Sequence, residues 1–375
     1  MLAHIVQCRR ETNTMPIVDI HTHIYPPAYV SLLRNRSSIP FIRTYDGNDR
    51  LIILPGENDP STPSTSRGRP VGPSYWDVGK KLAFMDQHGI EISVVSLANP
   101  WLDFLDPAEA TETAKLINDD TNRVCSEHPG RLYAFGALPL SAPPAVAAAE
   151  AHRLKTLKYM RGVIMGTAGL GSGLDDAQMD VVWRALEATE AMVFLHPHYG
   201  LPGAAYGPRR ADYGHVLPLA LGFPLETTIA VARMYLSGVW DRFPSLKVLV
   251  AHSGGALPFL AGRIESCIAH DAHIMKEGTA PKRSLWSVLK ENLYLDAVIY
   301  SDVGLKAAVD ASGADRLMFG TDHPFFPPLN DSDDEWLSVS MNTAAVRKAF
   351  DADEKSASMV LGGNAVRILR LTDDN

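Results

Sequence analysis

Two histidines spaced two apart, and three further polar residues far along the chain, carry most of the legible chemistry in this sequence. His21 and His23 close the apolar run IVDIHTH (17–23). In an extended strand alternate side chains share a face and each residue advances roughly 3.3 Å, so both imidazoles can address one ion. His196 lies in MVFLHPH (192–198), His252 in LKVLVAHS (246–253), and Asp322 closes LMFGTD (317–322). Imidazole nitrogen with carboxylate oxygen suits a borderline divalent cation, zinc first, with manganese, cobalt and iron also accommodated. One His-x-His pair is a weak motif, and a lone histidine is more often structural than a ligand. Five such residues, each at the carboxyl end of an apolar run, point to a metal centre.

The runs that end in these residues belong to a longer series. Four more have the same Val, Ile, Leu and Phe richness: ISVVSLAN (92–99), LYAFGALPL (132–140), GVIMG (162–166) and LYLDAV (293–298). Such near-continuous apolar runs are what strands buried on both faces require. Between them lie helical patterns, among them 78–89, 107–128 and 225–243, several opened by Asp, Ser or Pro and closed near Gly or Pro. Eight strands alternating with helices predict a parallel α/β structure, and eight closes a (β/α)8 TIM barrel. An open doubly wound sheet is disfavoured because no glycine-rich nucleotide loop follows the first strand. In a barrel, the carboxyl ends of the strands form the catalytic rim, where all five polar residues fall.

Two stretches break the repeat. Residues 24–76, with the Pro- and Ser-rich segment 55–73, and residues 199–223 both follow strand ends, so a lid-like loop is expected at 24–76. Extra helices are expected at the C-terminus. The first 15 residues read as a frayed extension, and 16–375 as one domain. Net charge is −8 with no basic run, which disfavours nucleic acid or an anionic membrane as partner. Cys8, Cys125 and Cys267 are scattered without disulfide-like spacing, and no apolar stretch has membrane-spanning length, so a cytoplasmic enzyme is expected.

The motifs VDIHTH, FLHPH, LVAHSGG and LMFGTDHPF together resemble the amidohydrolase superfamily, and more narrowly its decarboxylase branch of aminocarboxymuconate semialdehyde and resorcylate decarboxylases. That resemblance implies His21, His23, His196 and Asp322 as metal ligands, with His252 beside the metal as an acid/base group. It also implies a homodimer. Binuclear members bridge two ions with a carboxylated Lys or a Glu on the fourth strand. Here that strand reads RGVIMGTAG (161–169) with neither, so one ion is expected.

SLANPW (96–101), LHPHYGLP (195–202), 213–235 and FGTDHPFFPP (319–328) are similar to fungal decarboxylases of uracil-5-carboxylate, which implies a carboxylated pyrimidine substrate and a role in thymine salvage. The residues suit that chemistry. Protonating the ring carbon before losing CO2 avoids a vinylic anion, and needs an acid but no organic cofactor. Asp322 is the preferred acid with His252 replenishing it, and the reverse assignment stays open. Asn99 offers donor and acceptor to a pyrimidine edge, and Arg69, with Arg67 as competitor, is the candidate carboxylate clamp. Phe325, with Phe326 as competitor, is the candidate apolar wall. His198 and His323 are expected to support the ligands by hydrogen bonds. Two other chemistries fit the same metal: decarboxylation of a hydroxybenzoate or aminocarboxymuconate semialdehyde, and hydrolysis of a cyclic amide by metal-bound water.

Overall fold

The computed structural model describes residues 15–53, 55–59, 61, 67–276, 280–328, 335–351 and 353–371. The apolar runs become β1 (Val18–His23), β2 (Ile92–Ser96), β3 (Leu132–Ala137), β4 (Met160–Gly166), β5 (Met192–His196), β6 (Lys247–Val250), β7 (Leu293–Asp296) and β8 (Leu317–Met318). Every residue of β1, β2, β3 and β5 is buried. The strands neighbour one another in chain order, all parallel. The seam is closed by backbone hydrogen bonds between β1 and the chain beyond β8. Ile20 N donates to Phe319 O at 3.0 Å, Asp322 N to His21 O at 2.7 Å, and His23 N to His323 O at 2.7 Å. The architecture is therefore a (β/α)8 TIM barrel.

Alternation along each strand sorts the core into two layers. On β5, Val193 and Leu195 pack outward with Trp183 and Val231 of the surrounding helices. Phe194 points inward, 5.5 Å from Phe135 and 5.0 Å from the His21 ring between centroids. The helices begin where local chemistry starts them. Pro107–Ser126 has Pro in its first turn, and the Asp106 carboxylate accepts from Ala108 N and Glu109 N at 3.0 and 2.9 Å. Asp302–Ser312 is capped by Ser301, whose hydroxyl accepts from Val303 N.

The insertions hold more order than their composition suggests. Residues 24–76 contain a helix, Pro27–Asn35, and a small antiparallel sheet of Phe41–Tyr45, Asn48–Ile52 and Arg69–Pro70. Its hairpin turns on Asp46 and Gly47, both at positive φ (50° and 80°), the conformation an Asp-Gly pair favours between short strands. Residues 199–223 form tight 3₁₀ turns at Gly203–Tyr206 and Arg210–Tyr213 and a wider π-helical turn at Pro218–Gly222. The single helix expected over 225–243 is two, Phe223–Leu236 and Val239–Arg242, divided at Gly238 with φ 71°. The expected C-terminal helices are Leu337–Ala349, Glu354–Ser358 and Asn364–Leu369. Of the expected N-terminal extension, residues 1–14 lie outside the described residues. Among the described residues no helix is long and apolar enough to cross a membrane.

Candidate metal centre

Three imidazoles meet at the carboxyl end of the barrel, and each has its Nδ1 occupied. His21 Nδ1 donates to Asp296 Oδ2 at 2.6 Å, His23 Nδ1 faces Ser96 Oγ at 3.1 Å, and His196 Nδ1 donates to Pro197 O at 2.9 Å. An acceptor at Nδ1 holds the proton there and leaves the Nε2 lone pair available. The three Nε2 atoms are buried, and among the described residues none has a hydrogen-bond partner. Asp322 Oδ1 completes the group, 3.4 Å from His21 Nε2 and 3.5 Å from His23 Nε2. One ligand atom from each of His21, His23, His196 and Asp322 lies within 4.8 Å of all the others. Leaving buried polar atoms unsatisfied costs about 1–3 kcal/mol each. Orphaned imidazole nitrogens converging on a carboxylate oxygen are the donor set a divalent cation requires, so the residues present fit the expected ion.

Electrostatics agree with that assignment. Burial, reinforced by the charge of His21, lowers His23 to about 4 and holds His196 well below the usual imidazole range. Both are therefore neutral, as a ligand must be. His21 differs: burial alone would lower it, but the carboxylates of Asp322 and Asp296 outweigh burial and raise the ring to about 10, so a cation binding here would displace a proton from it. For Asp322 burial acts upward, yet the charge of His21 and the closeness of the His21, His23 and His252 rings hold the carboxyl well below its ordinary range.

Asp322 lies four residues past the end of β8, and His252 does not end β6, contrary to the expectation from sequence. His252 lies two residues beyond its strand in a tight turn, His252–Gly254, with φ 53° at both His252 and Ser253. The turn is held by Asp296, whose Oδ2 accepts from His252 N at 3.0 Å and Oδ1 from Ser253 N at 2.7 Å. That excursion puts His252 Nε2 3.9 Å from Asp322 Oδ2, the other oxygen from the one that His21 and His23 approach, with 13% of its side chain exposed.

The expected substrate residues surround this centre unequally. Asn99 lies three residues past β2 and is 2% exposed. Its Nδ2 donates to His198 O at 2.7 Å, while its backbone carbonyl accepts from Tyr25 Oη at 2.8 Å. The side-chain carbonyl is what the amide presents elsewhere. Arg69 pairs with Leu51 in the small sheet. Burial pushes the phenols of Tyr25, Tyr75 and Tyr199 up, and the nearby Arg69 charge partly offsets this in each. Arg67 lies 5.6 Å over the Tyr45 ring. Phe325 stands edge-on to the His23 ring at 5.5 Å and to Tyr75 at 5.6 Å, whereas Phe326 is 46% exposed. His198 turns outward to Asp103, Nε2 to Oδ2 at 2.9 Å. His323 faces Lys81.

Three residues that sequence reasoning missed organise the site. Asp296 orients His21 and holds the His252 turn together. Lys81 is buried behind β1. Glu226 accepts from His198 N at 2.8 Å, from Gly200 N, and from the Thr167 hydroxyl, pinning the chain that leaves β5. Asp296 had one sequence signal, its place at the carboxyl end of LYLDAV. Lys81 and Glu226 sit in helical patterns where charged residues are routine.

Comparison with known proteins defines the class. The Metarhizium anisopliae IDCase (isoorotate decarboxylase), solved in apo form, superposes with a TM-score of 0.91 at 52% identity, covering 96% of this chain and 98% of that one. The 2-amino-3-carboxymuconate-6-semialdehyde decarboxylase of Dictyostelium discoideum is 26% identical over 366 residues, spanning 94% of this chain and 91% of its own. A dihydroxybenzoic acid decarboxylase from Polaromonas, solved with bound manganese, shares the fold at 23% identity and a TM-score of 0.70, covering 95% and 97% of the two chains. Fold, site and relatives define a metal-dependent decarboxylase. The chain belongs to the amidohydrolase family, whose model matches residues 18–371.

Proposed function

We propose that this protein removes CO2 from uracil-5-carboxylate to give uracil, as a step of thymine salvage in the cytoplasm. The observation that carries the reading is the 52% identity, over nearly the whole of both chains, to the Metarhizium enzyme. The site supports it. An ion held by His21, His23, His196 and Asp322 would supply Lewis-acid polarisation and a template for the substrate's oxygens. Zinc is our preferred ion; the manganese in the Polaromonas structure makes it the competitor to test.

The chain's own residues perform the proton transfer. Asp322 is ionised at rest, so it must receive a proton before giving one. His252, partly exposed and 3.9 Å from Asp322 Oδ2, is placed to bring that proton from solvent. Protonated Asp322 then delivers it to ring carbon C5, which becomes sp3. The C5–carboxyl bond breaks, CO2 leaves, and the electron pair restores the C5–C6 double bond. Arg69 holds the substrate's anionic edge, the Asn99 side-chain carbonyl accepts from a ring N–H, and Phe325 lies against the ring. A hydroxybenzoate has no ring N–H for Asn99, which favours the pyrimidine.

A homodimer completes this reading. Tyr213, Val216, Leu221 and Ile229 are 44%, 65%, 50% and 51% exposed within one stretch of chain. These exposed apolar side chains are our candidates for the dimer contact. Sedimentation velocity should therefore give about twice the 40.9 kDa chain mass, and a monomer at micromolar concentration would remove this part of the proposal.

The direct test is turnover of uracil-5-carboxylate by metal-analysed protein, following uracil and CO2, then chelation and restoration with zinc or manganese separately. His252→Asn should keep its metal and lose about 10²–10⁴ of kcat. Asp322→Asn should lose both metal affinity and turnover. Absence of uracil from fully metal-loaded protein would defeat the substrate assignment, and turnover of 2,6-dihydroxybenzoate in its place would move it to the sister reaction.

A further inference from the structure

The helix Val78–Gln87 leads into β2 on the outside of the barrel, yet its Lys81 is 1% exposed. The ammonium donates to Thr22 Oγ1 at 2.6 Å and to His323 Nδ1 at 2.5 Å. Thr22 lies between the ligands His21 and His23 on β1, and His323 directly follows the ligand Asp322. Lys81 thus ties together the two segments that supply three of the four candidate ligands. Thr22 Oγ1 also donates to His323 O at 3.2 Å. The His323 ring is stacked on Phe84 at 3.8 Å and meets Trp336 at 4.6 Å. One residue before Asp322, Thr321 is held by Asp19, whose carboxylate accepts from Thr321 N at 3.0 Å and its hydroxyl at 2.7 Å.

Two costs make this cluster informative. A buried ammonium is expensive, and a methionine would fill the same space without desolvating a charge. Asp322 has φ 60°, a left-handed conformation that is unfavourable for a non-glycine residue and persists only where the surroundings over-determine it. We propose that Lys81 is a positioning residue, which through Thr22 and His323 locks the turn after β8 onto β1 and so aims the Asp322 carboxylate at His21 and His23. The inference rests on the metal-centre reading and is independent of the substrate's identity.

The test uses the full-length protein loaded with Co(II), whose visible absorption reports ligand geometry. Lys81→Met removes the ammonium, Thr22→Val removes its hydroxyl acceptor at equal volume, and Thr22→Ser restores that hydroxyl. Lys81→Met and Thr22→Val should each alter the Co(II) spectrum and lower kcat for uracil-5-carboxylate by about tenfold to a hundredfold, with KM changed by less than about threefold. Thr22→Ser should return spectrum and kcat to within about twofold of the parent. Variants that lose thermal stability but keep the parent spectrum would make Lys81 a packing residue and overturn the proposal. If Lys81→Met does not fold, the Thr22→Val and Thr22→Ser pair decides on the same criteria. The spectral readout stands even if uracil-5-carboxylate is not turned over.

Discussion

Asp296 accepts hydrogen bonds from the ring of one ligand and from the backbone of the turn that carries the acid/base candidate. Its Oδ2 accepts from His21 Nδ1–H and the His252 amide, and its Oδ1 accepts from the Ser253 and Val298 amides. Replacing it with Asn removes the charge that favours the Nδ1–H tautomer of His21 and can turn an NH2 towards donors. Asp296→Asn should weaken metal affinity about 10–100-fold, measured by chelator competition. Unchanged affinity would mean that the His21 tautomer is set by the other ligands. Residue by residue, the histidines were legible because a period of two and a strand end are visible in one dimension. Asp296 was not, because a single acid in a strand looks the same whether it faces solvent, metal or another side chain. Lys81 was hidden for a similar reason, since nothing in VGKKLAFMDQ says which lysine turns inward.

At the scale of elements, long apolar runs and capped helices were readable, and the departures occur where short-range geometry overrides periodicity. LKVLVAHS looks like one strand through His252, yet the pairing stops at Val250 because Ser253 N and His252 N go to Asp296 instead of a ladder. The small sheet in 24–76 went unread because its strands are brief and partly polar, although Asp46-Gly47 carried a hairpin signal. The turn after β6 also depends on glycine. Gly255 has φ 63°, and a Cβ there would lie 2.2 Å from Pro224 O and 2.7 Å from Thr228 Oγ1. Gly255→Ala should therefore cost about 2–4 kcal/mol and displace His252, lowering both Tm and kcat. Gly262 makes the control. It lies within the helix Leu257–Asp271, where the nearest atom to a new Cβ is 3.7 Å away. Gly262→Ala should be neutral or stabilising by up to about 1 kcal/mol. A thermal melt that ranks the two variants the other way would show that the turn tolerates a side chain by shifting Pro224.

Over the whole molecule, the candidate ligands span nearly the full chain, from His21 on the first strand to Asp322 beyond the last. They meet at the seam where the barrel is closed by hydrogen bonds from Ile20, His23, Thr321 and Asp322 and not by a long ladder. An ion bound there joins the two ends of the sheet. At a free concentration of a thousand times Kd it would stabilise the folded state by about 4 kcal/mol. With an unfolding entropy of about 2.1 cal/mol/K per residue, that corresponds to about 5 °C in Tm for a chain of this length. The effect should also be local. Chelation should speed hydrogen exchange at the amides of Ile20, His23 and Asp322, while those shared by β4 and β5, paired from Gly162–Met192 to Gly166–His196, keep their protection. A uniform rise across the barrel would mean that the ion stabilises one indivisible cooperative unit. Faster exchange confined to the seam would make the metal the clasp between first and last strands, and would explain why an aspartate in a strained backbone conformation sits at that junction.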